Sequence, residues 1–179
     1  MRGITDELPF DVPETWAWAR LGMLCNYGDC ENAESNGIAS EAWLLDLEDI
    51  EKDSGRLIQR KRKGEAKSLS TKHRFSVGQV LYSKLRPYLN KVIIADEDGY
   101  CTSEILPLDF GITIYSRYAQ IYLMSPFFVG YATQCSYGVK MPRLGTQDGK
   151  NALVPLPPLN EQQRIVMRVN AVMPICDSL

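Results

Sequence analysis

The sequence predicts a mixed α/β (α+β) domain, a twisted and mostly antiparallel sheet with flanking helices, followed by a C-terminal connecting helix. Three observations carry this reading. Short β-rich runs separated by turn signals fill the first two-thirds of the chain. Two stretches from Ser116 onward place apolar residues three and four apart, and from Ile165 the apolar residues recur at four, three, four and three. At 179 residues, 45% apolar and 23% charged, the chain suits one domain with an appendage and is long enough to bury a core. The predicted division is a domain over residues 1–158 and, over 159–179, the start of a connecting helix cut short at the last residue.

Taken in order, residues 8–13 hold Pro9 and Pro13 and read as an extended segment. Residues 15–22 read as a strand, since Trp16 and Trp18 alternate and Gly22 breaks the run. Residues 28–37 are rich in Asn, Asp, Ser and Gly and form a loop. A short buried strand follows at 42–45, then a brief helical turn at 47–50. Residues 56–73 are polar, basic and aperiodic, the pattern of an exposed loop or ribbon. The β-rich runs 77–83 and 89–95 flank Pro87, which cannot donate to a ladder and so marks a turn or an edge. Residues 96–99 make a turn, and one strand follows over about 100–105.

Helices are predicted at Ser116–Met124 and 127–135, with Ser125 and Pro126 as stop and restart. Residues 138–150 read as a Gly-rich basic loop and 152–156 as a strand closed by Pro157 and Pro158. Asn160 is the expected cap of the last helix, with Gln163 reaching back to it. Ile165, Val169, Val172, Cys176 and Leu179 then form a heptad seam for packing along another helix. A short core-facing amphipathic helix shares that pattern, so both readings stand. Pro174 predicts a kink or fraying near 171–174. The predicted core is Trp16, Trp18, Trp43, Leu81, Ile93, Ile121, Phe127 and Phe128.

The net charge of −2 conceals a strong local asymmetry. Residues 1–51 carry twelve carboxylates and two arginines, whereas residues 52–91 carry twelve Lys/Arg and two carboxylates. A basic block in a nearly neutral chain points to a local polyanion-binding surface. The competing reading is a solvated surface paired with the acidic first third. Five cysteines at irregular spacing, without a C-x-x-C pair and with a single histidine, read as reduced thiols rather than a metal site. The apolar runs are too short to span a bilayer and no signal peptide opens the chain, so a cytoplasmic protein without a membrane partner is expected.

Catalytic signatures are missing. There is no phosphate loop, nucleophile elbow or dinucleotide turn. His73 lies between Lys72 and Arg74, and Cys25 or Cys101 as a nucleophile would need that same histidine. The acidic turn Asp96, Glu97 and Asp98 does not converge on a cation. Binding is better supported, because cations in 52–91 are interleaved with Tyr82, Tyr88, Phe75, Gln59 and Asn90.

Four landmarks then appear in order. Pro13-x-x-Trp16-x-Trp18-x-x-Leu21-Gly22 comes first, and residues 78–91 (GQVLYSKLRPYLNK) follow. Residues 101–108 (CTSEILPL) and 155–166 (PLPPLNEQQRIV) complete the set. Together they resemble the recognition domain of type I restriction–modification specificity subunits. The resemblance implies a non-catalytic DNA-binding chain that reads one half of a bipartite duplex site and docks methyltransferase subunits through its helix. It further implies restriction subunits and a second recognition domain as partners, and a homodimer through the helix is a further option. S-adenosylmethionine, ATP and Mg would be held by partner subunits, with no cofactor or metal on this chain. The resemblance also places Tyr82 and Tyr88 as packing residues and Lys84, Arg86 and Lys91 as phosphate or scaffold contacts.

The expected DNA contacts are Arg60, Lys61, Arg62, Lys63, Lys67, Lys72, His73, Arg74, Lys84, Arg86, Lys140, Arg143 and Lys150. The alternatives are a nucleic-acid-binding module without sequence preference, a protein interaction module, and a hydrolase using Cys101 or Cys25 with His73.

Overall fold

In the computed structural model, which describes residues 8–65 and 70–176, a three-stranded sheet divides the apolar interior in two. The elements run β1 (Ala17–Arg20), α1 (Leu21–Leu24), β2 (Asn32–Ala33), β3 (Trp43–Leu45), β4 (Lys61–Arg62), β5 (Lys72–Phe75), β6 (Val80–Ser83), β7 (Val92–Ile94) and β8 (Gly99–Thr102). They continue with β9 (Ile105–Leu108), α2 (Ser116–Met124), α3 (Pro126–Gln134), α4 (Thr146–Asn151), β10 (Leu153–Leu156) and α5 (Leu159–Cys176). The mixed α/β class and the C-terminal helix are as expected, but the strands divide among three sheets rather than one. Their orders are β1-β10, β2-β5-β8-β3-β4 and β7-β6-β9. Among these pairings only β3 with β8 is parallel.

The dividing wall is β7-β6-β9, and its sequence explains why. Every residue of β6 and β9 is buried, which requires cover on both faces. The period of two sorts the side chains. Val80, Tyr82, Val92, Leu106 and Leu108 join the core beneath α2 and α3. Leu81, Ile93 and Ile105 join Trp43, Leu45, Ile50, Phe75 and Cys101 beneath the five-stranded sheet. The predicted core holds for Trp43, Leu81, Ile93 and Phe128, all at most 4% exposed. Trp16, Trp18 and Ile121 are only half-buried. Phe127 lies on the surface, where Phe10 and Trp18 pack against it with ring centroids 5.6 and 6.5 Å away.

Three local expectations are corrected. The single strand expected over 100–105 is two, because Ser103 and Glu104 turn the chain from β8 in one sheet to β9 in another. Gly145 and Gly149 made 138–150 look like loop throughout, yet α4 lies within it. Gly149 is in that helix because a Cβ there would fall 2.1 Å from the Tyr27 ring. The last helix starts at Leu159, so Asn160 lies inside it and is not its cap. Pro158 O accepts from Glu161 N (2.8 Å) and Gln162 N (3.0 Å) instead.

Gln162 is fully buried, in place of the expected role for exposed Gln163. It accepts from Tyr115 N (2.8 Å) and donates to Pro157 O (2.9 Å), which clamps α5 to the body. Gln162, Ile165, Val166 and Val169 share that inward face, the spacing of an amphipathic helix on its own domain. Val172 is 54% exposed, while the Cys176 side chain and Leu179 lie outside the described residues. The helix runs on through position 174, so it does not fray at 171–174 as expected. A proline there removes one ladder bond, to the carbonyl of Asn170, and one missing bond does not end the helix.

Candidate nucleic-acid interface

The basic block is spent largely within the domain. Arg60 lies over the Trp43 ring, 4.2 Å from its centroid. Its guanidinium donates to Asp96 (2.6 and 2.8 Å) and Glu97 (2.6 Å). Arg62 donates to the same Glu97 and to the Glu41 carbonyl (3.1 Å). Arg62, and then Arg60, hold the Glu97 carboxyl below the usual glutamate range. Lys61 pairs with Glu48 and with Asp49 (2.9 Å), whose side chain is fully buried. Both push its ammonium pKa up. Residues 56–73 are therefore not an exposed cationic loop throughout, because β4 is a sheet edge whose charges already have partners. Lys63 lies on the turn Lys63–Glu65, with its amide on Ala42 O (3.0 Å). Lys67 lies outside the described residues.

Strand β5 is a second departure. Lys72, predicted to face DNA, is 2% exposed, and its ammonium donates to Ser70 Oγ (3.0 Å). Burial on the inner face of the strand removes it from any outer contact surface. His73 Nδ1 donates to Ile105 O (2.9 Å). Arg74 is half-exposed and pairs with Glu31 at 3.2 Å. Pairing with the acidic first third, the competing reading of the charge pattern, thus describes Lys61 and Arg74. As for Cys101, it stands opposite His73 in the ladder, but it has no exposure and burial raises its thiol pKa well above the ordinary value. Burial likewise pushes the Cys25 thiol up to about 12. Neither is placed as a nucleophile.

The remaining cations meet where residues 84–90 abut the loop 137–145. The turn Pro87–Leu89 is bracketed by Arg86 and Asn90, both left-handed with φ of 50°, a conformation that costs a side-chain-bearing residue about 1 kcal/mol. Cross-links between the two segments hold it. Arg86 N donates to Pro142 O (2.7 Å) and Leu144 N to Lys84 O (3.0 Å), while Tyr137 and Arg143 exchange both backbone bonds (3.1 and 3.0 Å). Arg143 forks onto Glu104, with Nη2 to Oε1 at 2.6 Å and Nε to Oε1 at 3.0 Å. Arg86 Nη2 reaches Lys140 O (3.3 Å).

This lattice sets Lys84, Arg86 and Lys140 beside one another, and among the described residues none of the three has a carboxylate partner. The same two segments carry exposed Tyr88, Tyr137, Val139 and Met141. Lys150, on α4, lies 3.6 Å from Asp29.

Other expected roles resolve simply. Tyr82 is buried against Phe128, with centroids 5.5 Å apart, and packs as anticipated, whereas Tyr88 is 48% exposed. Lys91 donates to Leu47 O (2.6 Å), a scaffold contact. The predicted cations therefore fall into separate groups. Lys61 and Arg62 lie on the edge strand β4, with β3 and β8 between them and β5, roughly 14 Å across three strand spacings. Sequence reading missed the apolar tip at Val139 and Met141 and the retention of Arg143 by Glu104. The run Gly138-Val139-Lys140-Met141-Pro142 was the available signal, a loop tip with almost no neutral polar residues. No helix among the described residues is long and apolar enough to cross a membrane.

No family model matches the chain. Over 173 residues, 97% of its length, it is 30% identical to the type I restriction enzyme EcoDI specificity subunit of Escherichia coli, of which it covers 38%. The EcoAI specificity subunit of the same organism is 23% identical over 182 residues, with 97% of this chain and 31% of that protein covered. The chain thus spans between three- and four-tenths of the curated relatives it matches. In fold, it superposes on the HsdS subunit from Thermoanaerobacter tengcongensis with a TM-score of 0.80 at 24% identity, covering 96% of this chain and 45% of that one.

Proposed function

The chain is a homologue of the type I restriction enzyme specificity subunits over one domain-sized stretch of them, and from that premise we propose that it reads one half of a bipartite duplex DNA site. The carrying observation is that Lys84, Arg86 and Lys140, cations without carboxylate partners among the described residues, lie on two bonded segments that also carry exposed Tyr88 and Tyr137. Ammonium and guanidinium groups bind phosphates and set the register, and the exposed loop beside them is available to base edges. In this reading the chain is not a catalyst and works in the cytoplasm. Adenine methylation, with S-adenosylmethionine, belongs to methyltransferase subunits. ATP- and Mg-dependent cleavage belongs to restriction subunits. The outer face of α5, with Met167, Val172 and Met173 more than half exposed, offers apolar area to methyltransferase subunits, to a second recognition domain's helix, or to a second copy of this chain.

The test is duplex affinity of the chain across a salt series and a panel of sequences. Three phosphate contacts give a slope of log affinity on log salt of about −2.7, with a ranked preference among duplexes. A flat ranking supports a binder without sequence preference. Absence of duplex binding supports a protein interaction module.

A further inference from the structure

We propose that the loop 137–143 enters the major groove and that Val139 at its tip reads the 5-methyl group of a thymine. The inference rests on the duplex-reading function above and adds to it the element and the base chemistry.

The loop is narrow, anchored and apolar at its end. Tyr137 and Arg143 face each other across a single antiparallel β-bridge that closes the loop at its base. Arg143 is fixed on Glu104, and Arg86 N is fixed on Pro142 O, so the arm is ordered before any partner arrives. Preorganisation of this kind spares the ordering cost at binding. Gly138 turns the chain with φ of 98°, and Val139 beyond it is 100% exposed, with Met141 at 45% and Tyr137 at 63%. An anchored loop that holds a valine wholly in water gains from a contact that covers it.

Charge selects the partner. Lys140 on the arm and Lys84 and Arg86 on the segment bonded to it have no carboxylate partner among the described residues. A protein pocket for Val139 would have to be apolar at its floor and carry several carboxylates on its rim. The major groove meets both demands with phosphates on its walls, and its width of about 12 Å, enough for a two-stranded ribbon, admits a loop closed by one bridge. The thymine methyl is the apolar group on that groove's base edges, and an isopropyl group is its match.

The experiment starts from duplexes enriched by the chain from a randomised pool. Each thymine of the enriched half-site, on either strand, is replaced by uracil, which removes the methyl group alone. At one position uracil weakens binding roughly fourfold, the weight of one buried methyl group, and Val139→Ala binds the thymine and uracil duplexes equally. Uracil tolerated at every position overturns the proposal, and so does a half-site without an A·T pair. Unchanged discrimination in Val139→Ala, while Lys84→Gln with Lys140→Gln still lowers affinity about a hundredfold, overturns the assignment of Val139 but leaves duplex reading intact. Loss of assembly with methyltransferase subunits, without change in duplex preference, makes the tip a protein contact and overturns it too. No salt-dependent duplex binding at all removes the function on which it rests.

Discussion

The edge strand β4 and the junction of residues 84–86 with loop 137–145 are both rich in cations, yet they differ in what those cations face. At β4, Arg60, Lys61 and Arg62 meet Asp96, Glu97, Glu48 and Asp49. At the junction, one cation of four, Arg143, is held by a carboxylate, Glu104. Local charge in a sequence is therefore not surface potential, because the fold decides which charges are already answered. Exposed ion pairs add little stability, about 0–1 kcal/mol each. Their service at β4 is to blunt a sheet edge, where charged side chains discourage pairing with another chain. The junction leaves its cations for a partner.

The largest expected effect follows directly. Lys84→Gln with Lys140→Gln lowers duplex affinity about a hundredfold near 0.1 M salt and reduces the salt slope by about 1.8. Lys61→Gln with Arg62→Gln removes the same formal charge and changes affinity less than about threefold by the same accounting, since neither is placed to meet phosphate. A fluorescence anisotropy titration of the two double variants measures both. Equal losses would erase the distinction between the regions.

Stability should separate them in the opposite sense. Arg60 covers Trp43, which is 1% exposed. Arg60→Ala forfeits a cation–π contact of about 1 kcal/mol, seen as a fall of roughly 2–4 °C in Tm for a chain of this size, with duplex affinity within about twofold on the same phosphate argument.

The same network carries a pH signature. Glu97 has a folded-state pKa below its ordinary value because of Arg62 and then Arg60. Its contribution to stability is therefore full above the unfolded-state pKa and is lost as pH falls through the folded one. The Tm advantage of the wild type over Glu97→Gln shrinks as pH drops below the ordinary glutamate range. An advantage that persists in acid would mean that Glu97 acts through packing rather than charge.

What the sequence revealed of this arrangement was what is local. The β-rich runs at Val80–Ser83 and Val92–Ile94 showed strands, and Ser125 with Pro126 showed the break between α2 and α3, where the Ser125 side chain accepts from Phe128 N. The split at Ser103 and Glu104 was illegible, because no Gly, Pro or Asn marks the turn while the two strands join different sheets. The α4 helix was hidden because Gly149 answers to Tyr27, more than a hundred residues away in sequence. For the site, the residue types were legible and their partners were not. Arg60 finds Asp96 across 36 positions and Arg143 finds Glu104 across 39, contacts that no window of local charge reports.

The smallest effect probes the junction at close range. Cys30 is half-buried, and burial raises its thiol pKa, while the Lys84 ammonium opposes that rise. Alkylation proceeds through the thiolate, so Lys84→Gln removes the opposing cation, raises the pKa further and slows Cys30 modification at pH 8, by less than about threefold for a partly solvated charge. Bound duplex slows the wild-type reaction as well, by covering Lys84 and the approach to Cys30 beside it. Buried Cys101 remains unmodified in the native chain and serves as the internal reference for peptide mass mapping. If saturating duplex leaves the Cys30 rate untouched while Lys84→Gln still weakens binding, Lys84 acts on DNA through its field and not by contact. The phosphate path then runs nearer Lys140 than residue 84.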